Sequence, residues 1–462
     1  MENLHKLTAE LDALFSPKSV AIVGLPRGKK MGKLFLVALL DSGFAGKIYP
    51  VHPDAGEIDG LKAYSNVSEI PDPVDLAIIL VPHTSALEVV KDCAAKRVKG
   101  AVLFTAGYKE TGTAEGKALE DELTRIARSS GMRILGPNCM GLYCPQSGLS
   151  FFPELSSKPG PVGLVSHSGS LANILGRYAS KKGIRFSKVA SLGNECDLNS
   201  ADLIAYLGND QETKVIGTYI EGIKDGRYFF QALETASKQK PVLLWKVGLT
   251  PEGSRAAMSH TGALTGTRNI WDAVVRQTGT IPVVGFEQLV DSMMGFSMWP
   301  PGLEDRIAVL SGPGGLAVAA AEACATSGLR LAKLSPHTVK RLSEFVAPTG
   351  TSLANPVDVG LTGAIEVEIY IQAARSLAAD PEVDAVVVIG HGLTPEANRQ
   401  YTDSMIQVGK DFPKPFVMVN IPGHEFPHAQ EFCEAGMPFF EAPERAMSVY
   451  EKVRNYQLWR EK

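Results

Sequence analysis

Val20-Ala21-Ile22-Val23-Gly24-Leu25-Pro26-Arg27-Gly28-Lys29-Lys30-Met31-Gly32 runs from a β-branched apolar segment into a glycine-rich turn and on into a helical pattern. The same phrase recurs outward from it. Residues 47–51, 76–81, 100–104 and 133–135 are short apolar runs separated by helical stretches. Alternation of this kind predicts a parallel sheet with helices on both faces, an α/β doubly wound domain. Residues 143–161, rich in Pro, Ser and Gly, interrupt the rhythm, so the first domain is placed at 1–145.

A second alternation follows, with strands expected at 162–165, 186–191, 214–220, 241–247 and 281–284. It ends at Met298-Trp299-Pro300-Pro301-Gly302, giving a second domain at 146–298. A third, over 299–462, has strands expected at 306–310, 385–389 and 415–420. The last two domains resemble each other. Val162-Gly163-Leu164-Val165-Ser166-His167-Ser168-Gly169 parallels Ile307-Ala308-Val309-Leu310-Ser311-Gly312-Pro313-Gly314, and the helices that follow close on Gly183-Ile184-Arg185 and Gly328-Leu329-Arg330. This favours duplicated flavodoxin-like domains.

With 462 residues, three cores are the natural expectation. A formal charge of −4 makes no electrostatic case for nucleic acid. The first residues are polar and read as no signal peptide, and no apolar run reaches the ~18 residues of a membrane span. Of the 6 cysteines only Cys139 and Cys144 are close, at a spacing that fits no zinc pattern. All are expected to be reduced thiols in a cytoplasmic chain. The histidines His83, His391, His424 and His428 show no metal-ligand spacing either, so no metal site is expected.

The turn after Gly24 can bring backbone N–H groups to a pyrophosphate, and Arg27, Lys29 and Lys30 add positive charge. Gly24, Gly28 and Gly32 are four apart, so the strict dinucleotide fingerprint is missing. The second strand ends Tyr49-Pro50-Val51-His52-Pro53, without the carboxylate that grips a ribose. A phosphate-bearing nucleotide other than NAD fits better; a tight turn without ligand is the plain alternative.

The second domain places three polar groups just after three strands: Ser166-His167-Ser168-Gly169-Ser170, Glu221, and a loop over 248–267 holding Ser259-His260-Thr261-Gly262-Ala263. Carboxyl ends of central strands line the crevice of an open parallel sheet, so the three should converge. The Ser-Gly turn can hold phosphate at a helix start. His260 supplies a nucleophile or base, and Glu221 can bond one ring nitrogen and leave the other for chemistry. The plain readings are a solvated His, a surface Glu and a helix cap. His167 reads equally as a second site residue or a turn filler. A Ser166/His260/Glu221 hydrolase triad lacks the usual nucleophile elbow. Residue chemistry alone leaves phosphotransfer and hydrolysis both open.

Taken in order along the chain, the segments resemble those of the α subunit of ADP-forming acetate–CoA ligases, in the succinyl-CoA synthetase superfamily. The matching pieces are Val20 to Gly24, Lys47 to Pro53, Gly136-Pro137-Asn138-Cys139, Ser166 to Ser170, Tyr219-Ile220-Glu221-Gly222, Ser259 to Ala263, Asn355-Pro356-Val357-Asp358, Gly436-Met437-Pro438 and Ala442-Pro443-Glu444-Arg445-Ala446. The resemblance implies a Rossmann-like CoA-binding domain, a flavodoxin-like ligase domain carrying a phosphorylated His, and a third flavodoxin-like domain. Catalytic roles fall on His260, the phosphorylated residue, and Glu221, which orients it. Ser166, Ser168, Gly169 and Ser170 bind phosphate. CoA contacts map to Gly24, Leu25, Pro26 and Arg27, to Lys47, Pro50, Val51, His52 and Pro53, to Val81, Pro82 and Ser85, and to Asn138. Two departures stand out. Ser-Gln-Ser-Gly is the common reading where this chain has Ser166-His167-Ser168-Gly169, and Asn-Ala-Gly-Gly where it has Ser311-Gly312-Pro313-Gly314.

No ATP-grasp domain is evident in the three-domain length. The resemblance therefore implies a separate β subunit carrying ADP or ATP and Mg²⁺, in an α2β2 assembly. The implied reaction converts acyl-CoA, ADP and phosphate to a carboxylic acid, CoA and ATP, through an acyl phosphate and phospho-His260. Gly253, Gly262 and Gly266 would let the His260 loop move. The rivals are a non-catalytic CoA-binding regulatory subunit and an NAD(P)-dependent oxidoreductase.

Overall fold

The computed structural model describes residues 2–461 apart from 29, 55 and 262–265, and leaves the side chains of 2, 3 and 258–261 undescribed. Its residues gather into two compact units, one of 1–180 with 185–285, the other of 181–184 with 286–462. The helix Gly285–Met298 thus clusters with the second unit.

The first unit holds two large sheets. One is parallel, built from β1 (Ser19–Val23), β2 (Lys47–Val51), β5 (Leu76–Ile79), β6 (Gly100–Leu103) and β7 (Arg133–Leu135), in the order β2-β1-β5-β6-β7. A small hairpin, β3 (Gly56–Ile58) and β4 (Leu61–Ala63), lies between β2 and β5 in sequence. Every residue of β1, β5 and β6 is buried, as continuous apolar runs covered on both faces must be.

The other sheet comprises β8 (Gly141–Tyr143), β9 (Val162–Ser166), β10 (Phe186–Ser191), β11 (Val215–Ile220), β12 (Val242–Lys246) and β13 (Ile281–Pro282), ordered β13-β12-β11-β9-β10-β8. Only β8 is antiparallel. It leaves the first sheet through Gly136 to Met140 and pairs with β10, so the chain reaches the second sheet before the Pro/Ser/Gly-rich stretch.

The second unit carries β14 (Arg306–Ser311), β15 (Arg330–Leu331), β16 (Val357–Asp358), β17 (Ala385–Ile389), β18 (Phe416–Val419) and β19 (Phe439–Phe440), ordered β15-β14-β17-β18-β19 with β16 against β14. All three sheets are α/β and doubly wound, and strand order reverses at one place in each: β1/β5, β9/β11 and β14/β17. A crevice opens at such a reversal, at the carboxyl ends of the strands. Among the described residues no helix is long and apolar enough to cross a membrane.

Candidate functional site

Gly24 follows β1 at the first reversal point. Its N–H donates to Val51 O at 2.9 Å, and its φ is +82°. A Cβ there would lie 2.7 Å from Val81 Cγ1 and 3.1 Å from Val81 N, so only glycine lets the turn lie flat against the end of β5. Leu25 is buried beneath the turn and Pro26 half-buried. Arg27 reaches back to donate to Asp54 O at 2.6 Å, spanning the ends of β1 and β2. There Val51 is buried, the His52 N–H donates to Tyr64 O at 2.9 Å, and Pro53 is exposed. Pro50 sits within β2, an edge strand that tolerates proline. Pro82 and Ser85 open the helix His83–Ala95 on the surface beside Val81.

Lys47 is not brought to this end. It opens β2, opposite Ser19, whereas Val51 at the far end faces Val23. Four residues of extended chain separate it from Val51 by about 13 Å. Its ammonium pairs with Asp72 at 2.7 Å.

The turn after β9 is held by its own serines. The Ser166 hydroxyl donates to Ser168 O at 2.8 Å and accepts the Ser168 N–H at 3.2 Å. Ser168 Oγ accepts the Leu171 N–H at 3.3 Å, capping the helix Gly169–Lys181, and lies 3.3 Å from Ser170 Oγ. Gly169 and Ser170 thus start a helix whose first N–H groups lack intrahelical acceptors, a setting that favours an anion.

Glu221 follows β11, next to that turn across the β9/β11 reversal, and is buried. The Tyr219 hydroxyl bonds its carboxylate; burial, then this neighbour, pushes the phenol up. Lys246, the last residue of β12, donates from Nζ to Glu221 O at 2.8 Å and to Val247 O. Its ammonium sits 5.0 Å over the Trp271 ring. Burial pulls Lys246 down to about 8, the Glu221 charge opposing. His167 accepts the Glu221 N–H on Nδ1 at 3.2 Å and holds Nε2 3.2 Å from Glu195 Oε1. Lys246 and Glu195 were not singled out in the sequence. A lone lysine closing the apolar run Val242-Leu243-Leu244-Trp245 was the available signal for the first; nothing local marks the second.

The segment expected as a loop over 248–267 contains the helix Pro251–Thr261. Thr250 caps it, accepting the Gly253 N–H at 3.1 Å, and Pro251 presets the first turn. This capping outweighs the breaking tendency of Gly253. The helix runs against the short turn Lys109–Thr111 that follows β6, on the carboxyl side of the first sheet. His260 is its penultimate residue; its side chain, with those of Ser259 and Thr261, and Gly262 and Ala263 altogether, lies outside the described residues.

Between the two sheets lies a cleft of about 610 Å³. The first sheet lines it with Leu80, Pro82, His83, Phe104, Thr105 and Ala106, the second with His167 and the 168–170 turn. Asn138, Cys139 and Met140 form its floor. Thr105 Oγ1 donates to Val81 O at 2.6 Å and the Asn138 N–H to Thr105 O at 3.1 Å. Met140 N–H donates to Ser191 Oγ at 3.0 Å, tying the floor to the end of β10. Cys139 is no nucleophile, since burial pushes its thiol up to about 12. All 6 cysteines are buried free thiols, and among the described residues no group of three His, Cys, Asp or Glu is placed to hold a metal ion. The cleft therefore joins the strand ends and turns after β5 and β6 to an apolar channel and a phosphate-type helix start, with a buried carboxylate beside it.

Family models match in three places: a CoA binding domain over residues 18–145, a succinyl-CoA ligase like flavodoxin domain over 159–296, and a ligase-CoA domain over 307–408. The chain is 37% identical over 442 residues to acetate–CoA ligase (ADP-forming) II subunit alpha of Pyrococcus furiosus, covering 94% of this chain and 95% of that one. To the corresponding I subunit alpha it is 34% identical over 461 residues, covering 98% and 99%. A solved structure of Ca. Korarchaeum cryptofilum dinucleotide forming acetyl-coenzyme A synthetase 1, in complex with phosphate and ADP, is similar at a TM-score of 0.86 and 34% identity, covering 98% of this chain and 97% of that one.

Proposed function

Because the chain belongs to the family of ADP-forming acetate–CoA ligase α subunits, we propose that it is the acyl-CoA-handling subunit of an ADP-forming acyl-CoA synthetase. The reaction is acyl-CoA + ADP + phosphate = carboxylic acid + CoA + ATP. The observation that carries this is a cleft that opens onto both the first sheet's carboxyl ends and the 168–170 helix start. Such a cleft supports a reading in which a thioester and a phosphate meet.

CoA lies along the Gly24–Arg27 turn, His52, Pro53, Val81, Pro82 and Ser85, with its thioester by Asn138. Lys47, tied to Asp72 at the other end of β2, is left out of this set. Phosphate binds at the Gly169 and Ser170 N–H groups, shaped by Ser166 and Ser168. Its oxygen attacks the thioester carbonyl, the C–S bond breaks, and CoA leaves as thiolate. A ring nitrogen of His260 then attacks phosphorus, and the carboxylate leaves with the P–O electron pair. Glu221 accepts a hydrogen bond from the other ring nitrogen's N–H, holding the tautomer, and its charge stabilises the cationic ring. The helix start neutralises charge on the phosphoryl oxygens. A partner β subunit, implied by the relatives' names, supplies the ATP-grasp nucleotide site and its Mg²⁺, in an α2β2 assembly. The working division is a CoA-binding domain at 1–145, a ligase domain at 146–298 and a third domain at 299–462.

The test is ATP formation from acyl-CoA, ADP and phosphate by the chain with its partner. His260→Ala abolishes turnover and leaves the Kd for CoA unchanged. Loss of CoA binding in that variant would contradict this division of roles.

A further inference from the structure

His167 takes no part in the chemistry above, yet it is buried within the phosphate turn. We propose that it is a positioning residue: a neutral imidazole, held between Glu221 and Glu195, that fixes the peptide of Glu221. The proposal rests on the reading of Glu221 as the partner of a phosphorylated histidine.

The protonation state follows from the donors. A peptide N–H can only donate, so Nδ1, 3.2 Å from Glu221 N, presents its lone pair. The ring proton is then on Nε2, which faces Glu195 Oε1 at 3.2 Å, with both side chains 5% exposed. That approach is off the line of a hydrogen bond, so it acts chiefly as a charge–dipole contact. Glu195 is itself anchored. Its Oε1 accepts the Ser200 N–H at 2.6 Å, its carbonyl accepts Lys224 Nζ at 2.5 Å, and its φ is +57°. The His167 peptide N–H donates to Tyr219 O at 3.1 Å. One residue thus clamps the end of β9, where phosphate would bind, to the end of β11, where Glu221 begins. A shift of the Glu221 peptide would swing its carboxylate by a similar amount, and proton acceptors at reacting groups tolerate little displacement.

Protonation removes the acceptor. An imidazolium has two donors, so the Glu221 tie must break. The groups that face the ring are the Glu195 carboxylate and the Glu221 peptide N–H. Behind them stand Lys224, which also approaches Glu120 at 3.6 Å, and the Tyr219 hydroxyl on Glu221. Glutamine supplies the same two functions without ionising: its amide oxygen accepts the Glu221 N–H and its amide nitrogen donates toward Glu195.

The experiment compares His167→Gln and His167→Leu in the full chain with its partner, reading the rate of phosphohistidine formation, the CoA Kd and Tm. His167→Gln is expected to keep the rate within about threefold. His167→Leu is expected to lose tenfold or more with CoA affinity unchanged. The proposal is overturned if Gln falls as far as Leu. Wild-type protein that never gains a phosphohistidine would overturn the functional reading and this proposal with it. Wild-type and Leu protein labelled at equal rates would overturn this proposal alone.

Discussion

Lys246 is the residue whose burial says most about the site. Its ammonium caps two strand-end carbonyls and an indole face instead of pairing directly with a carboxylate. Burial lowers its pKa to about 8, so between pH 8 and 10.5 the unfolded state binds more protons than the folded one. Stability contributed at this position therefore rises with pH across that window. Measured as unfolding free energy, wild type should gain on Lys246→Met by at most about 3 kcal/mol from pH 8 to 10.5. A difference flat with pH would mean the ammonium is better solvated than its surroundings indicate. Glu221 makes the second residue-scale prediction. Glu221→Gln keeps size and polarity but carries no charge to stabilise the cationic ring, and should slow phosphotransfer to and from His260 by about 10²-fold or more, with CoA affinity unchanged. Rapid-quench kinetics on the intact assembly checks this. Both side chains sit where an apolar run ends in a charge. That is why Glu221 was legible in the sequence, and why Lys246, closing a strand of the same kind, should have been.

At the scale of elements, strand-to-helix turns carry the function. Gly24 is the sharpest case, because the turn needs both a left-handed φ and an empty Cβ position against Val81. Gly24→Ala is expected to cost about 1–3 kcal/mol in stability and to weaken CoA binding tenfold or more, read by thermal unfolding and calorimetric titration. An unchanged CoA Kd would move the ligand away from this turn. The strands were readable because buried parallel strands are near-continuous apolar runs. The helix Pro251–Thr261 was not, since Gly253 and the Ser-His-Thr-Gly stretch weigh against a helix that the Thr250 cap and the packed Ala257 sustain. The place of Lys47 was also not readable from its neighbours. Its distance from Val51 follows only once β2 is laid parallel to β1, with Lys47 at its start.

At the scale of the molecule, one strand order serves three times, and the likeness of the second and third sheets extends to their first turns. Ser311 Oγ donates to Pro313 O at 2.9 Å as Ser166 Oγ does to Ser168 O at 2.8 Å. The third sheet's turn is filled, however. A Cβ at Gly314 would lie 2.7 Å from the Asp358 carboxylate, and one at Gly312 2.0 Å from the Tyr370 hydroxyl. The protein's own Asp358 carboxylate stands against this turn, so one phosphate site per chain is expected. Within the first unit a buried polar bridge joins the two sheets. Asn194 donates to Glu110 at 2.5 Å and to Glu120 at 2.9 Å. Asn194→Leu takes one donor from each carboxylate, leaving Glu110 the Gly107 and Tyr108 N–H groups and Glu120 the Lys224 ammonium, and should cost about 1–3 kcal/mol, seen as a lower Tm. The central claim, that phosphate travels through His260, is tested most directly by incubating the chain and its partner with γ-³²P-ATP and Mg²⁺. The account predicts acid-labile, base-stable label on this chain that is absent from His260→Ala. Label that survives in His260→Ala, or no label on a chain that still binds CoA, would contradict it.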